Sequence, residues 1–362
     1  MGNGRQIMID SIIIEPAADT RWDEFVAAHP YGWICHLAGW KKVLEDTFPH
    51  MRGHYLALKD ENTKAIRAAL PVFEVKSWIT GTRLVSIPYA TLSDPLVSSA
   101  EDFETLFESV LALSKQVHAS YIQIRSHNSQ SLIQDSRIAS TCVYKHHYLR
   151  LSDNPERLRK NFHRTCVRQR ISRAIKSGLR LRTADSESNL RDFYRLYVLS
   201  RKRLGLPPQP YAFFRSLWKV FFGSGRVRVL LAFKGNEPVA GSILLKFKDR
   251  VSVEWMVSDS KYRDLSPNHY LFWQAMKSAW DEGFKIFDFG RTSRHNHPLM
   301  DFKARWGTKI VDLPNYYYPI TLSEKLTEPE SSQSYRLIST VCRKAPLCVT
   351  IPIGRFCYRH LG

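Results

Sequence analysis

Residues 284–307, FKIFDFGRTSRHNHPLMDFKARWG, bring a carboxylate and several cations into one short stretch. Alternation with period two along a strand puts Ile286, Asp288 and Gly290 on one face, and Phe287 and Phe289 on the other. An acid set into an apolar strand is costly to bury alone. Asp288 therefore needs a partner or a chemical role, and Arg291 and Lys303 are the obvious nearby cations. A polar loop follows the strand and closes on DFKARWG at 301–307. Such a cluster fits the carboxyl end of a strand, where open α/β sheets keep their ligands. It reads equally as a structural salt bridge, because ion-pair networks perturb charges without catalysing anything.

Other constellations are weaker. His295 and His297 offer two imidazoles on a loop with no third ligand at a recognisable spacing, and His146-His147 offers less, so no metal site is expected. Lys41 and Lys42 follow Trp40 on a predicted helix, where one can contact an acceptor phosphate or both can be plain surface lysines. Tyr316, Tyr317 and Tyr318 can stack on a sugar or base, or fill a core. The chain has no GxSxG, P-loop or GxGxxG pattern, which removes the hydrolase, kinase and dinucleotide readings.

Residues 154–177 read as a helix, with Pro155 at its first position, Glu156 in its first turn and Gly178 as its stop. Leu158, Phe162, Val167, Ile171, Ala174 and Ile175 form a rough apolar stripe. Eight cations, among them Arg164, Arg168 and Arg173, surround that stripe against a single acid. A solvated face ordinarily mixes signs, so this one suits an anionic ligand or nucleic acid.

The elements that must position these residues recur. A hairpin (54–58 and 65–75), a third strand (83–88), a helix (102–117) and a further strand (121–125) form one block. A second hairpin (227–233 and 239–247), a strand (250–257), a helix (268–280) and the strand 284–289 form another, roughly 165 to 175 residues later. The order β-β-β-α-β in both predicts a duplicated α/β (α+β) domain with mixed sheets flanked by helices. The expected boundaries are 1–150 for the first domain and 151–225 for a basic helix and proline-rich connector. The second domain's core is then 226–320, and 321–362 is a linker (324–334) followed by a basic extension. That extension either docks onto the protein or makes a weak membrane-surface contact.

Composition limits the partners. Lys plus Arg outnumber Asp plus Glu by 53 to 34, a formal net charge of +19, which favours phosphates, nucleic acid, a nucleotide-linked sugar or an acidic membrane face. Six cysteines without a CxxC pattern suit reduced thiols. The start of the chain shows no signal peptide and no apolar run approaches the ~20 residues of a membrane helix. The expected location is the cytoplasm, with contact at the inner face of the membrane as a variant.

Several motifs taken in order carry a resemblance over about residues 20–320. They are HLAGW at 36–40, LPVF at 70–73, SDPL at 93–96, RLGLP at 203–207, LSPNHY at 265–270, DFGR at 288–291 and FKARWG at 302–307. Together they resemble the FemAB-like branch of the GNAT-related acyltransferases, including bacterial proteins found with exopolysaccharide and exosortase systems. The resemblance implies two tandem GNAT-like domains with a cleft between them. It also implies transfer of an acyl or aminoacyl group to an amine of a phosphate-bearing or sugar-linked envelope precursor. The donor would be acyl-CoA or aminoacyl-tRNA as a co-substrate, with no tightly bound cofactor and no metal.

By the same resemblance Lys303 sits at the reaction centre and can stabilise an oxyanion, Asp288 orients Lys303 or Arg291, and Glu254 manages the amine proton. Trp40, Lys42, Arg305, Trp306 and Tyr317 are expected to meet the acceptor. Arg263, Ser266, Asn268 and His269 are expected to meet the donor, and Arg164, Arg168 and Arg173 a polyanion. Two departures stand out. Arg263 to Asn268 lacks the glycines with which GNAT enzymes approach the CoA pyrophosphate. Ser98 and Ser99 stand where some peptidoglycan enzymes carry an acid. The competing functions are a non-catalytic tRNA or polyanion binder and a degenerate acyltransferase scaffold in a polysaccharide assembly complex. The sequence leaves oligomeric state open.

Overall fold

A computed structural model describes residues 11–151, 154–322 and 333–360. The linker read at 324–334 falls mostly outside these residues, as do the first ten residues. The chain divides into two compact units. The first comprises residues 1–141, 314–327 and 360–362, and the second comprises 142–313 and 328–359. The division at 141/142 precedes the expected 150, because residues 142–150 form part of a strand that pairs within the second unit. Residues 314–318 return to the first unit, and 328–359 belong to the second instead of standing apart.

In the first unit β1 (Ser11–Ile14), α1 (Arg21–Ala28) and α2 (Ala38–Thr47) precede β2 (Met51–Lys59), β3 (Ile66–Ser77) and β4 (Gly81–Ser86). α3 (Ala100–Gln116) and β5 (Ile122–Arg125) follow. Neighbours β1 to β4 pair antiparallel, and β4 pairs parallel with β5 at Leu84↔Ile122 and Val85↔Gln123. Ser99 caps α3 by accepting the Asp102 N–H at 3.1 Å, so its hydroxyl serves the helix end. Phe103, Leu106, Phe107 and Val110, spaced three and four apart on α3, pack over Leu56, Leu70, Val72 and Leu84.

The second unit contains β6 (Ala139–Arg150, in this unit from Cys142), α4 (Pro155–Lys160), α5 (Gln169–Lys176) and β7 (Arg180–Thr183). α6 (Glu187–Leu204), α7 (Tyr211–Phe221), β8 (Val227–Lys234), β9 (Glu237–Phe247) and β10 (Arg250–Ser258) come next. α8 (Pro267–Asp281), β11 (Ile286–Ser293) and α9 (His297–Ala304) complete its core, and β12 (Lys309–Tyr318) crosses between the units. α10 (Gln333–Lys344) and α11 (Leu347–Cys357) close the chain. The expected single helix over 154–177 is interrupted. α4 ends at Lys160, and a wide π turn at Arg164–Arg168, capped by the His163 imidazole, leads into α5.

β7 to β10 pair antiparallel in succession, β10 pairs parallel with β11, and β11 pairs antiparallel with β6. The path β8-β9-β10-α8-β11 thus repeats β2-β3-β4-α3-β5, including the single parallel step across the helix. α8 is apolar on the face over the sheet, where Leu271, Trp273 and Met276 meet Phe287, Phe289 and Trp306.

Candidate functional site

Two β-bulges define the end of β11. In-register pairing of β10 with β11 covers Arg250↔Ile286, Val251↔Phe287 and Ser252↔Asp288. Just beyond, β10 is irregular between Val253 and Trp255, against β9, and β11 between Asp288 and Gly290, against β6. A bulge bends its strand and re-aims the following groups. Gly290 takes φ of +72°, a region an L side chain rarely adopts, so this bulge needs glycine.

Asp288 is fully buried. Its Oδ2 accepts from Arg250 Nη1 at 2.8 Å and lies 2.8 Å from His146 Nε2, while Oδ1 accepts the Gly290 N–H at 2.7 Å. Burial pushes its pKa up, but His146, Arg250 and the Gly290 hydrogen bond together hold it well below the usual carboxylate range. Asp288 was expected to orient Lys303 or Arg291; its charge acts on Lys303, while its hydrogen bonds go to other groups. Its side-chain partners come from β6 and β10, and its third bond fixes the bulge. Arg250 and His146 were missed because no linear spacing joins them to Asp288; only the sheet register does.

Lys303 comes from α9 and is itself buried. Its Nζ donates to Gly290 O and Arg291 O, both at 3.0 Å. Burial lowers its pKa to about 8, opposed by the negative charges of Asp288 and Glu254 and reinforced by Arg291. The pieces interlock: Asp288 holds the Gly290 N–H, and the carbonyls of Gly290 and Arg291 hold the ammonium. An ammonium has three N–H donors, so one remains for a ligand.

Glu254 sits half-buried at the β10 bulge, accepting from Ser252 Oγ at 2.8 Å. Arg291 is half-buried, its guanidinium 4.7 Å from the Tyr144 ring centroid. His147, passed over in the sequence, faces the same cluster. Burial, with the charges of Lys303 and His146, brings its pKa down to about 4, so it is neutral near pH 7.

The start of α8 forms a second feature. Ser266, with φ of +56°, precedes the helix after the turn Ser260–Leu265. Ser266 Oγ, Asn268 Oδ1 and His269 Nε2 are buried polar atoms without a hydrogen-bond partner among the described residues. Burial and the Arg170 charge bring the His269 pKa down to about 4. Arg263 is exposed on the turn. Alongside, α5 packs on α8 and on that turn. An open pocket of about 820 Å³ is lined by Arg159, Lys160, Arg164, Arg168, Arg173 and Lys176, with Glu156 the single acid.

Of the expected acceptor residues, Trp306, Trp40 and Tyr317 are buried, whereas Lys42 and Arg305 are exposed. Trp306 is fully buried among the rings of Phe162, His269, Phe272 and Phe289. Arg305 is exposed just past α9, and its carbonyl accepts the His163 N–H at 2.9 Å. Trp40 and Tyr317 are buried in the first unit, where Tyr317 Oη accepts from Gln123 Nε2 at 3.2 Å. Lys42 is exposed and pairs with Asp46 one turn along α2 at 3.0 Å. Apolar side chains at helical or strand spacing look alike in sequence whether they meet a ligand or a core. Among the described residues no group of three or more His, Cys, Asp or Glu is arranged to hold a metal ion.

Residues 161–304 match the acetyltransferase (GNAT) domain family. A lipid II:glycine glycyltransferase of Staphylococcus haemolyticus (strain JCSC1435) is 32% identical over 80 residues, 20% of this chain and 19% of that protein. Its counterpart in Staphylococcus epidermidis (strain RP62A) is 25% identical over 115 residues, 27% of this chain and 28% of the relative. The chain thus aligns with under a third of these relatives' length. Among solved structures, FemX superposes with a TM-score of 0.70 at 16% identity, covering 88% of this chain and all of that one. A tandem GNAT protein from the clavulanic acid biosynthesis pathway gives 0.56 at 12% identity, covering 85% and 97%. The fold is therefore that of tandem GNAT-like domains. Within that class, the chain is similar to FemX in fold and, over part of its length, to the lipid II:glycine glycyltransferases in sequence.

Proposed function

We propose that this protein is an N-acyltransferase that moves an acyl or aminoacyl group from a phosphate-bearing carrier to the amine of a cell-envelope precursor. The observation that carries the reading is the buried Lys303 ammonium, with two N–H groups on the bulge carbonyls and the third available. When an amine attacks the acyl carbon, the carbonyl oxygen gains the electron pair of its C=O bond, and that third N–H stabilises the charge. Glu254 takes the proton from the attacking nitrogen and returns it to the carrier's sulfur or oxygen as the carbon–carrier bond breaks. Asp288 is a positioning residue, acting through the Gly290 bulge.

The buried Ser266 hydroxyl and the His269 imidazole, at the start of α8, suit an anionic group of the donor. The GNAT domain favours an acyl-CoA donor, whereas the relatives' name as glycyltransferases favours an aminoacyl group and an acceptor related to lipid II. Incubating purified protein with acetyl-CoA or charged tRNA, plus envelope precursors, tests the reading. Transfer from one donor, lost in Lys303→Ala with folding intact, is the expected result. Retained transfer removes Lys303 from the mechanism. The six-cation pocket also favours a second reading, a polyanion-binding protein or scaffold without chemistry. That reading holds if polyanions bind and neither donor reacts.

A further inference from the structure

The last two helices bury one side and leave the other apolar. On α11, Thr350, Gly354 and Tyr358 follow at intervals of four and are buried. A Cβ at Gly354 would meet Pro208 O at 2.2 Å, so the helix lies directly on the chain after α6. α10 lies as close: a Cβ at Gly205 would meet Ser339 Oγ at 2.4 Å. The opposite side of α11 presents Val349, Pro352 and Phe356, spaced three and four apart, to solvent, and Phe356 is 50% exposed. On α10, Leu337 and Val341 are one turn apart, and Leu337 is 67% exposed. A helix docked on the protein by one side has no structural need for an apolar outer side.

Charge selects what covers it. From Gln333 to Arg359 the sequence has five Lys and Arg residues and no Asp or Glu. Arg343, Lys344, Arg355 and Arg359 are exposed around the apolar side chains. A twofold contact between copies would set this patch against itself, cation facing cation. An anionic bilayer supplies both requirements at once, hydrocarbon for Leu337, Val349 and Phe356 and acidic headgroups for the rim. Among the described residues no helix is long and apolar enough to cross a membrane, so the segment would lie on the surface. We propose that α10 and α11 form an interfacial docking surface for an anionic lipid membrane. The proposal is independent of the transfer reaction.

Flotation of the full chain with vesicles tests it. The protein should float with vesicles containing phosphatidylglycerol and stay behind with phosphatidylcholine alone. Val349→Glu with Phe356→Glu, both at exposed positions, should abolish flotation without changing Tm. Lys344→Glu with Arg355→Glu should weaken binding by about fivefold or more for each cation removed, since a basic group near an anionic surface contributes about that factor. Wild-type protein that fails to float, or variants that float equally, would overturn the proposal. So would size-exclusion data in which Phe356→Glu converts a dimer to a monomer, which would assign the surface to a second copy.

Discussion

Asp288 and His146 lie on paired antiparallel strands with Oδ2 and Nε2 2.8 Å apart, both fully buried. Arg250 donates to the same oxygen, so partners from two neighbouring strands hold the acid. It acts on Lys303 through its charge and through the Gly290 backbone.

Asp288→Asn should therefore act first on stability. It leaves Arg250 and His146 without their anion, and breaking a buried pair costs about 3–5 kcal/mol. Urea denaturation should show a lower midpoint at unchanged slope. The wild-type carboxylate has its pKa lowered on folding. Its contribution is thus complete above the unfolded value of about 3.9 and is lost as pH falls below it. A variant as stable as wild type at pH 7 would show that the cluster contributes nothing net.

Lys303 predicts a pH profile. If the ammonium stabilises the oxyanion, transfer should fall as pH rises through about 8, where Lys303 loses its proton. Lys303→Ala should lower kcat by about 10²–10³, the usual effect of removing one such donor. A rate that instead climbs through pH 8 would assign Lys303 as the base. Stability runs the other way. The depressed pKa means the unfolded chain binds the proton more tightly, so stability should increase from about pH 8 to the unfolded value near 10.4.

The basic pocket predicts salt dependence. Arg164→Glu, Arg168→Glu and Arg173→Glu together should remove tRNA or CoA binding, measured as loss of the ligand-induced Tm shift. Each phosphate contact removed singly should reduce the slope of log K against log salt by about 1. An unchanged slope would mean these side chains are only solvated.

Trp306 tests the reassignment from ligand to core. Trp306→Ala should cost about 3–5 kcal/mol, as for large aromatic truncations. Substrate KM should change little in the molecules that remain folded. A change in KM at wild-type stability would return Trp306 to the acceptor site.

Periodicity and turn chemistry made the repeated β-β-β-α-β order legible, because hairpins and amphipathic helices are set locally. Lys303 was singled out through its family motif. His146, His147 and Arg250 were not, since their proximity to Asp288 depends on strand register and not on any local spacing. Trp306 and Trp40 were misplaced for the converse reason: an aromatic in a conspicuous motif gives no sign of which way it points. The break in the basic helix at Arg164–Arg168 was hidden because a π turn leaves the cation pattern intact.

In the first unit the turn after β5 is held by Asp94, whose Oδ1 accepts the N–H groups of His127, Asn128 and Ser129 at 2.7, 2.5 and 3.0 Å. In the second unit the bulge of β11 is held by an ammonium gripping two C=O groups. The two copies thus present opposite poles of the peptide group to their anchors. The acid anchor also takes the Ser126 and Ser129 hydroxyls on the same oxygen, so it works purely as a fastener. An ammonium anchor keeps a hydrogen in reserve and can lose its charge near pH 8, so the fastener of the second unit is adjustable where that of the first is not.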